Sequence, residues 1–333
     1  MIIFSFFISY SYSQIDDKKQ IDESNLNSDT IKNRLERLNA KTPIELYFTP
    51  SVEKTIKRYL NTRLEFYKKN IDRINYYLPL FEEQLQNQKI PLEIKYLPII
   101  ESRLDPYAVS KVGATGLWQF MFYTALENGL TMNSYVDERM DPFKSSQAAA
   151  AYLNKLYRIH NDWNLVLASY NAGPRTISRA KKKSGGYTNY WNMRPFLPSE
   201  TANYIPSFIA TMYIFEYASE HGIDTYKNEK PILSTEKITI KDKIALEHIS
   251  DFFDYPTDSI RRLNPSYIHG IVPGKNKNEL RLPTKLVDSF IMREEEFYTF
   301  AKSEFDKREK PLPDLYSIDS KLVYKVKYGE FLG

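Results

Sequence analysis

The chain carries a helical repeat of apolar residues from about residue 50 to residue 220. Val52, Ile56 and Leu60, for example, fall on one face of a helix with 3.6 residues per turn. Alternation of apolar and polar residues with a period of two, which is typical of strands, is almost absent from this region. We therefore predict an all-helical domain over residues 49–225. The same spacing predicts individual helices over residues 71–85, 145–160, 163–170 and 200–217.

Pro91 predicts the start of one more helix, because the missing N–H of proline costs nothing in a first turn. The apolar residues that follow lead directly to Glu101, and Pro98 between them predicts a kink. The helix is expected to end at Asp105, since the residue before a proline, here Pro106, avoids the α region. Glu101 is thus predicted to lie near the end of an apolar helix.

The pattern changes after Gly222, where short alternating runs stand beside short helical ones. Together they predict a β-α-α-β unit over residues 235–285, in which two helices cover a two-stranded sheet. The fold class is therefore mainly α, with a helical domain followed by a small α+β module. The strands of this module are predicted over residues 237–240 and 279–283, and its helices over 242–253 and 256–263.

The ends of the chain differ from these two regions. Residues 1–14 contain an apolar run that is too short to span a bilayer and resembles the apolar core and cleavage site of a secretory signal. A buried N-terminal strand is the alternative, but the polar sequence that follows favours the signal, so we expect export. Residues 15–48 are polar, and we expect them to be loosely ordered up to about Ala40. Residues 286–320 are expected to form one exposed helix and a linker.

The composition narrows the possible functions. A chain of 333 residues suggests about two domains. The chain has no cysteine, which excludes disulfides, cysteine-based zinc sites and a cysteine nucleophile. Its four histidines are scattered and it has no phosphate-binding glycine loop, so we expect no metal and no other cofactor. The net charge of +4 is spread along the chain, which argues against nucleic acid as a partner but suits an anionic polymer.

Glu101 is the first candidate for chemistry. A carboxylate beside apolar surface loses solvation, which favours its protonated form and raises its pKa. A carboxylic acid that is protonated near neutral pH can donate the proton that glycosidic cleavage requires. The alternative is a glutamate at a helix end that points to solvent, and position alone favours that alternative.

Three other segments carry polar side chains at the ends of predicted helices. Gln119 follows a glycine-containing turn, and its amide could bind an acetamido group or a ring hydroxyl. Tyr170 and Asn171 stand where another helix ends at a glycine. Glu200 and Tyr204 lie one turn apart on the last helix of the domain. Each segment also has a structural explanation, as a core tryptophan, a helix cap or a dipole partner, so each alone is a weak sign of function.

In this order and spacing, however, the segments resemble the motif set of the soluble lytic transglycosylase family, whose fold is similar to that of goose lysozyme. The resemblance covers residues 92–215 and is greatest to the membrane-bound transglycosylase D type. It implies a lysozyme-like domain that cleaves the β-1,4 bond between N-acetylmuramic acid and N-acetylglucosamine, with Glu101 as the single catalytic acid and base. The motifs are Glu101-Ser102, Gly116-Leu-Trp-Gln119, Tyr170-Asn-Ala-Gly173 and Glu200-x3-Tyr204. The residues implied to line the cleft or to support the acid are Ser102, Gln119, Met121, Tyr170, Asn171, Glu200 and Tyr204.

The lack of a second suitable carboxylate bears on the mechanism. Ordinary glycosidases pair two carboxylates, whereas Asp105 is interpreted here as a turn residue. The N-acetyl group of the substrate must then assist. Glu101 would first protonate the leaving oxygen and then deprotonate the muramyl 6-hydroxyl, which gives a 1,6-anhydro product. Tyr170 is expected to hydrogen-bond Glu101 or the acetamido group. A lysozyme-like hydrolase and a non-catalytic wall-binding protein are the alternatives.

The C-terminal module carries a resemblance of its own. Residues 238–283, with Leu263-Asn-Pro265 and Gly270-Ile-Val-Pro273, resemble a LysM module, a fold that binds N-acetylglucosamine polymers. A plain α+β appendage is the alternative, and residues 321–333 resemble the start of a second LysM. The implied partner is the peptidoglycan glycan strand, with no obligate protein partner, in the periplasm or cell envelope of a bacterium. The transglycosylase D type is usually lipid-anchored, whereas this chain has no cysteine. A soluble periplasmic enzyme and a truncated start are both open interpretations, and peripheral association with the cell wall or membrane is compatible with either.

Overall fold

The computed structural model describes residues 27–223, 234–274, 278–308 and 312. The predicted signal over residues 1–14 and the second LysM-like start over residues 321–333 lie outside the described residues. None of the helices that the structure describes is long and apolar enough to cross a lipid bilayer.

Ten helices make up the helical domain, which we define as described residues 27–223. The prediction of an all-helical region is confirmed, because this range contains helices, turns and isolated β-bridges only. The helices are α1 Ser28–Asn39, α2 Pro50–Lys69, α3 Ile71–Asn87, α4 Leu97–Ser102, α5 Phe122–Glu127, α6 Pro142–His160, α7 Trp163–Ala172, α8 Pro174–Lys183, α9 Tyr190–Met193 and α10 Ser199–Glu216. Short 3-10 turns lie at Leu92–Tyr96, Arg194–Phe196 and Ser219–His221.

The helix α10 lies at the centre of the helical domain. Its residues are buried on nearly all sides, among them Ile205, Phe208 and Ile209. A helix that is apolar all round is stable only where other elements cover it, and α10 packs against α2, α4 and α7. This packing fixes the first turns of α10, which carry Glu200 and Tyr204, relative to α4, which carries Glu101.

The prediction that the polar segment up to Ala40 is loosely ordered is wrong for the described part of that segment. The structure has α1 there, capped by the Asn27 side chain. Arg34 on α1 donates a hydrogen bond to the hydroxyl of Tyr213 on α10, at 3.1 Å. A narrow apolar stripe, hidden in a largely polar sequence, joins α1 to the core and consists of Ile31, Leu35 and Leu38.

The segment before Glu101 is a 3-10 turn followed by α4, instead of one kinked helix. Pro98 lies in the first turn of α4, where its missing N–H breaks no helical hydrogen bond. The helix ends because Arg103 and Leu104 adopt left-handed conformations, with φ of 55° and 59°. Asp105 then accepts a hydrogen bond from the Tyr107 N–H at 3.0 Å, in agreement with its interpretation as a turn residue.

The C-terminal module, defined as described residues 234–308 with Leu312, confirms the predicted β-α-α-β order. Its outer strands pair antiparallel, with Thr235 opposite Pro283 and Ile240 opposite Asn278. The first helix of the module begins at Leu246, later than predicted, because the two residues before it pair with a second short strand. The elements are β1 Thr235–Ile240, β2 Ile244–Ala245, α11 Leu246–Phe253, α12 Thr257–Leu263, β3 Ile271–Val272, β4 Asn278–Pro283, α13 Thr284–Met292 and α14 Glu294–Asp306.

The expectation of one exposed helix and a linker after residue 285 is wrong for the described residues. Two helices, α13 and α14, stand there and close the core of the module. The rings of Phe290 and Phe297 lie 5.2 Å apart in this core. The charged residues that suggested exposure cover the outer faces of both helices. The buried residues of the two helices are Leu286, Val287, Phe290, Phe297 and Ala301.

The helical domain and the C-terminal module meet at a short backbone pairing. Val136 forms an antiparallel bridge with Tyr267. The Asp137 N–H donates to the Ser266 carbonyl at 2.9 Å, and the Ile268 N–H donates to the Tyr135 carbonyl at 3.0 Å. Tyr135 and Val136 are buried in the core of the C-terminal module, although they belong to the helical domain in sequence.

Candidate active site

Glu101 lies in the last turn of α4, with its side chain half-buried. The hydroxyl of Tyr204 donates a hydrogen bond to its Oε1 atom. Tyr204 is itself buried and is held by the central helix α10, so the donor is fixed before any substrate binds. The pair joins two elements that are 103 residues apart in sequence.

Three influences set the pKa of Glu101. Burial of its carboxyl group raises the pKa most, the hydrogen bond from Tyr204 lowers it, and the negative charge of Glu200 raises it, so that the pKa moves from 4.5 to about 7. A group with a pKa near 7 is present in both its protonated and its ionised form at neutral pH. Glu101 can therefore give a proton and take one back under the same conditions.

Ser102 supports this arrangement from the buried side of α4. Its hydroxyl lies 3.0 Å from the Pro98 carbonyl and 2.9 Å from the Leu117 carbonyl, both of which can accept its proton. The second contact ties α4 to the turn that carries Gln119. Ser102 is 7% exposed, so its place is in the framework below the acid and away from solvent.

The turn over residues 113–121 packs tightly against the loop before α6. Gly116 has a φ of +83°, and a Cβ atom added to it would lie 1.9 Å from the Arg139 carbonyl oxygen. Gln119 has a φ of 49°, and its Nε2 donates to the carbonyls of Ala108 at 3.1 Å and Gly116 at 2.9 Å. Since both amide hydrogens of Gln119 have backbone partners, a ligand would meet the carbonyl oxygen of its side chain, which can only accept.

Of the two partners predicted for the Tyr170 hydroxyl, Glu101 and the acetamido group of the substrate, the structure contradicts Glu101. The Tyr170 hydroxyl donates instead to the Trp118 carbonyl, at 2.7 Å. Burial raises the pKa of Tyr170 well above its usual value, and the nearby charge of Glu101 raises it further, so its hydroxyl stays protonated beside the acid. The direct partner of the acid is Tyr204.

The other predicted residues take different places. Asn171 accepts a hydrogen bond from the Thr201 hydroxyl at 2.9 Å, which links the end of α7 to the start of α10. Met121 precedes α5 and is 46% exposed. Glu200 is exposed in the first turn of α10 and acts on Glu101 through its charge. The structure therefore brings together Glu101, Tyr170, Glu200 and Tyr204, whereas Ser102 and Asn171 belong to the framework.

One aromatic neighbour was missed by the sequence reasoning. The ring of Tyr152 on α6 lies 5.6 Å from the ring of Tyr170 and 6.3 Å from that of Phe120. Tyr152 is half-buried, and it extends the aromatic surface beside the acid. It stands in an alanine-rich helix without a motif, so no local signal marked it.

Within the described ranges, no group of three or more His, Cys, Asp or Glu side chains is placed to hold a metal ion. The side chains that lie together are the carboxyl group of Glu101, two tyrosines and the carboxylate of Glu200.

Two family matches identify the parts of the chain. The family described as transglycosylase SLT domain matches residues 79–192. The chain contains an SLT domain. The family described as lytic transglycosylase MltD, LysM-like domain matches residues 234–299, which span the module from β1 into α14. We refer to this part as the LysM-like module from here on. Glu101 and Tyr170 lie inside the matched residues, whereas Glu200 and Tyr204 lie beyond them.

Three individual proteins are similar to parts of the chain. The chain is 26% identical over 214 residues to the membrane-bound lytic murein transglycosylase D of Escherichia coli K12, which covers 60% of this chain and 46% of the relative. It is 30% identical over 113 residues to a putative tributyltin chloride resistance protein of an Alteromonas species, which covers 32% of this chain and 55% of the relative. The chain thus spans about half the length of these relatives. The crystal structure of the 70 kDa soluble lytic transglycosylase of Escherichia coli is 23% identical, with a TM-score of 0.40, and the match covers 61% of this chain and 33% of that one.

Proposed function

We propose that this protein is a peptidoglycan lytic transglycosylase. It would cleave the β-1,4 bond between N-acetylmuramic acid and N-acetylglucosamine and leave a 1,6-anhydro end on the muramyl residue. The proposal rests on the environment of Glu101. This residue lies within the residues that match the SLT domain, is half-buried with a pKa of about 7, and accepts a hydrogen bond from Tyr204.

In the proposed reaction Glu101 acts twice. Its protonated form donates to the glycosidic oxygen as the bond to N-acetylglucosamine breaks. The acetamido group of the substrate stabilises the positive charge that develops at the anomeric carbon. The Glu101 carboxylate then takes the proton of the muramyl 6-hydroxyl as that oxygen attacks the anomeric carbon, which closes the anhydro ring without consuming water. The role of Asp105 as a turn residue, with its carboxylate accepting from the Tyr107 N–H, supports a mechanism with a single catalytic carboxylate.

A hydrolase is the second candidate, and one observation favours it. The charge of Glu200 influences Glu101, so a second carboxylate lies within electrostatic range of the acid. Inverting glycosidases use such a pair to activate water, with the two carboxyl groups roughly 6.5–9.5 Å apart. The product of the reaction separates the two candidates, because only hydrolysis adds water to the muramyl end.

The decisive experiment is a product analysis by mass spectrometry after digestion of purified peptidoglycan in water labelled with heavy oxygen. We expect muramyl ends that are lighter by one water than reducing ends and that carry no label. Peptidoglycan digested in parallel with a muramidase is the control, and it should give labelled reducing ends. Labelled reducing ends from this protein would replace the transglycosylase proposal with the hydrolase, and no cleavage at all would reject both.

The pH dependence of activity should respond in opposite directions to two substitutions beside the acid. Glu101 must be protonated to start the reaction, so kcat/KM falls as the pH rises through its pKa. Tyr204→Phe removes a hydrogen bond that favours the ionised form, so the pKa of Glu101 should rise and the alkaline limb should move to higher pH. Glu200→Gln removes a negative charge, so the pKa should fall and the same limb should move to lower pH. Shifts of both variants in one direction would contradict the assignment of Glu101.

We also propose that the protein acts in the cell envelope, on peptidoglycan as its partner. The support is the substrate proposed above, the LysM-like module and the name of the Escherichia coli relative, which describes that protein as membrane-bound. The export signal over residues 1–14 stays a prediction from the sequence.

A further inference from the structure

The LysM-like module packs directly against the SLT domain and is not merely connected to it through the chain. The bridge between Val136 and Tyr267 is flanked by two backbone hydrogen bonds, and Tyr135 and Val136 are buried in the core of the module. A second contact stacks the Arg281 guanidinium on Phe143, with 3.6 Å between its central carbon and the ring centroid. Backbone pairing, apolar burial and stacking together fix one orientation.

A third contact lies at Tyr107, in the loop that follows the catalytic helix. The Tyr107 hydroxyl donates to the Arg261 carbonyl on α12, at 3.3 Å. Tyr107 is 49% exposed, so its ring faces solvent at the junction of the two parts. An exposed tyrosine ring held by its hydroxyl offers a flat face on which a sugar can stack.

The loop of Tyr107 is also tied to the turn beside Glu101. The Ala108 carbonyl accepts hydrogen bonds from the Gly116 N–H at 2.9 Å and from Gln119 Nε2 at 3.1 Å. That turn is held in its own place by the bond between Ser102 and the Leu117 carbonyl. Three hydrogen bonds, joined by short stretches of backbone, therefore connect α4 through the loop of Tyr107 to α12 of the LysM-like module.

We propose that the LysM-like module is a fixed extension of the glycan cleft, and that Tyr107 is the specificity-determining residue over which a long strand passes from the SLT domain to α12. This inference rests on the proposed function, and its substrate class is a glycan strand long enough to reach both parts. Short oligosaccharides would occupy the SLT domain alone. The module thus sets how strongly cleavage depends on strand length.

A disulfide lock tests whether the docked arrangement is the working one. Val136 and Tyr267 form a non-hydrogen-bonded antiparallel pair, because the two hydrogen bonds of the bridge are made by the residues on either side of them. Their Cα atoms should therefore lie about 4.5 Å apart. That separation suits a disulfide, and the chain has no other cysteine. The variant with Val136→Cys and Tyr267→Cys is therefore expected to cross-link under mild oxidation, and the same protein kept reduced is its matched control.

We expect the oxidised protein to cleave long glycan strands within about twofold of the rate of the reduced protein. If the cross-link fails to form, or if oxidation lowers long-strand cleavage at least about fivefold, the docked module is not the working arrangement and the inference is overturned.

Undocking tests the dependence on strand length. Val136→Asp places a charge in the core of the module, and Ile291→Asp, at a site 63% exposed on α13, is the control. For Val136→Asp we expect the ratio of long-strand to short-oligosaccharide kcat/KM to fall about tenfold, with a larger radius of gyration in solution scattering. Tyr107→Ala should lower long-strand cleavage in the same sense, whereas Tyr107→Phe, which keeps the ring, should retain most of it.

The outcomes separate this inference from the proposed function. An unchanged length ratio in an undocked variant, beside a wild-type protein that yields anhydro ends, would reject the inference alone. A wild-type protein that yields no anhydro ends would reject the proposed function. If Val136→Asp fails to fold, the disulfide variant and Tyr107→Ala still test the inference, because neither of them contains that substitution.

Discussion

Replacement of Glu101 by glutamine is expected to slow the cleavage of peptidoglycan by roughly three orders of magnitude. Glutamine keeps the size of the side chain and an oxygen that can accept from Tyr204, but it can neither give nor take the proton. Release of soluble anhydro products from purified wall measures the effect. Glu36→Gln, at an exposed position on α1, is the control and should keep wild-type activity.

The same substitution should change stability in a direction that damage to the fold would not produce. The folded state holds the Glu101 proton up to a pH of about 7, whereas the unfolded chain releases it near 4.5. Wild-type stability should therefore decrease as the pH rises between these values, by at most about 3 kcal/mol. Glu101→Gln lacks this loss, so it should match the wild type near pH 4 and exceed it near pH 8 in urea unfolding. A variant that is less stable at every pH would show that its inactivity reflects a damaged fold.

Gly116→Ala is expected to destabilise the protein by about 2–5 kcal/mol. Its φ of +83° costs a residue with a side chain roughly 1–2 kcal/mol. The added methyl group would also meet the Arg139 carbonyl at 1.9 Å, so the turn must move away from the loop behind it. Overpacking of this kind adds about 1–3 kcal/mol.

Gly113→Ala is the matched control for this prediction. Gly113 lies in the same turn with a φ of +84°, but nothing lies within 4 Å of its would-be Cβ atom. Urea unfolding of the two variants should therefore show the same conformational cost, and the difference between them measures the clash at Gly116. Equal losses would mean that the contact with Arg139 does not constrain the turn.

The sequence predicted elements well where a periodic apolar pattern is long, and poorly where it is short. The helices α2, α3, α6 and α10 have wide apolar faces that a 3.6-residue repeat reveals. Three apolar residues in a polar segment were too few to predict α1 from the sequence, although they pack it against the core. Two-residue strands such as β2 and β3 cannot show a period of two at all.

The candidate site was predictable to the level of residue types and not to that of contacts. The motifs placed Glu101 and both tyrosines near one another, but the partner of each hydroxyl depends on the packing of α10 and α7. Tyr170 bonds to the backbone of Trp118, and a backbone acceptor has no signature in a sequence. The rise in the pKa of Glu101 was expected in direction from its apolar helix, and the structure assigns it mainly to burial.

The burial of Tyr135 and Val136 in the core of the LysM-like module also bears on how the chain unfolds. A core that borrows side chains from a neighbouring domain cannot open without exposing them. We therefore expect the two parts to melt in a single cooperative transition in calorimetry, with no populated state in which one part alone is unfolded. A chain shortened to end at residue 223 would expose the side chains of Tyr135 and Val136 to solvent, and we therefore expect that fragment to aggregate.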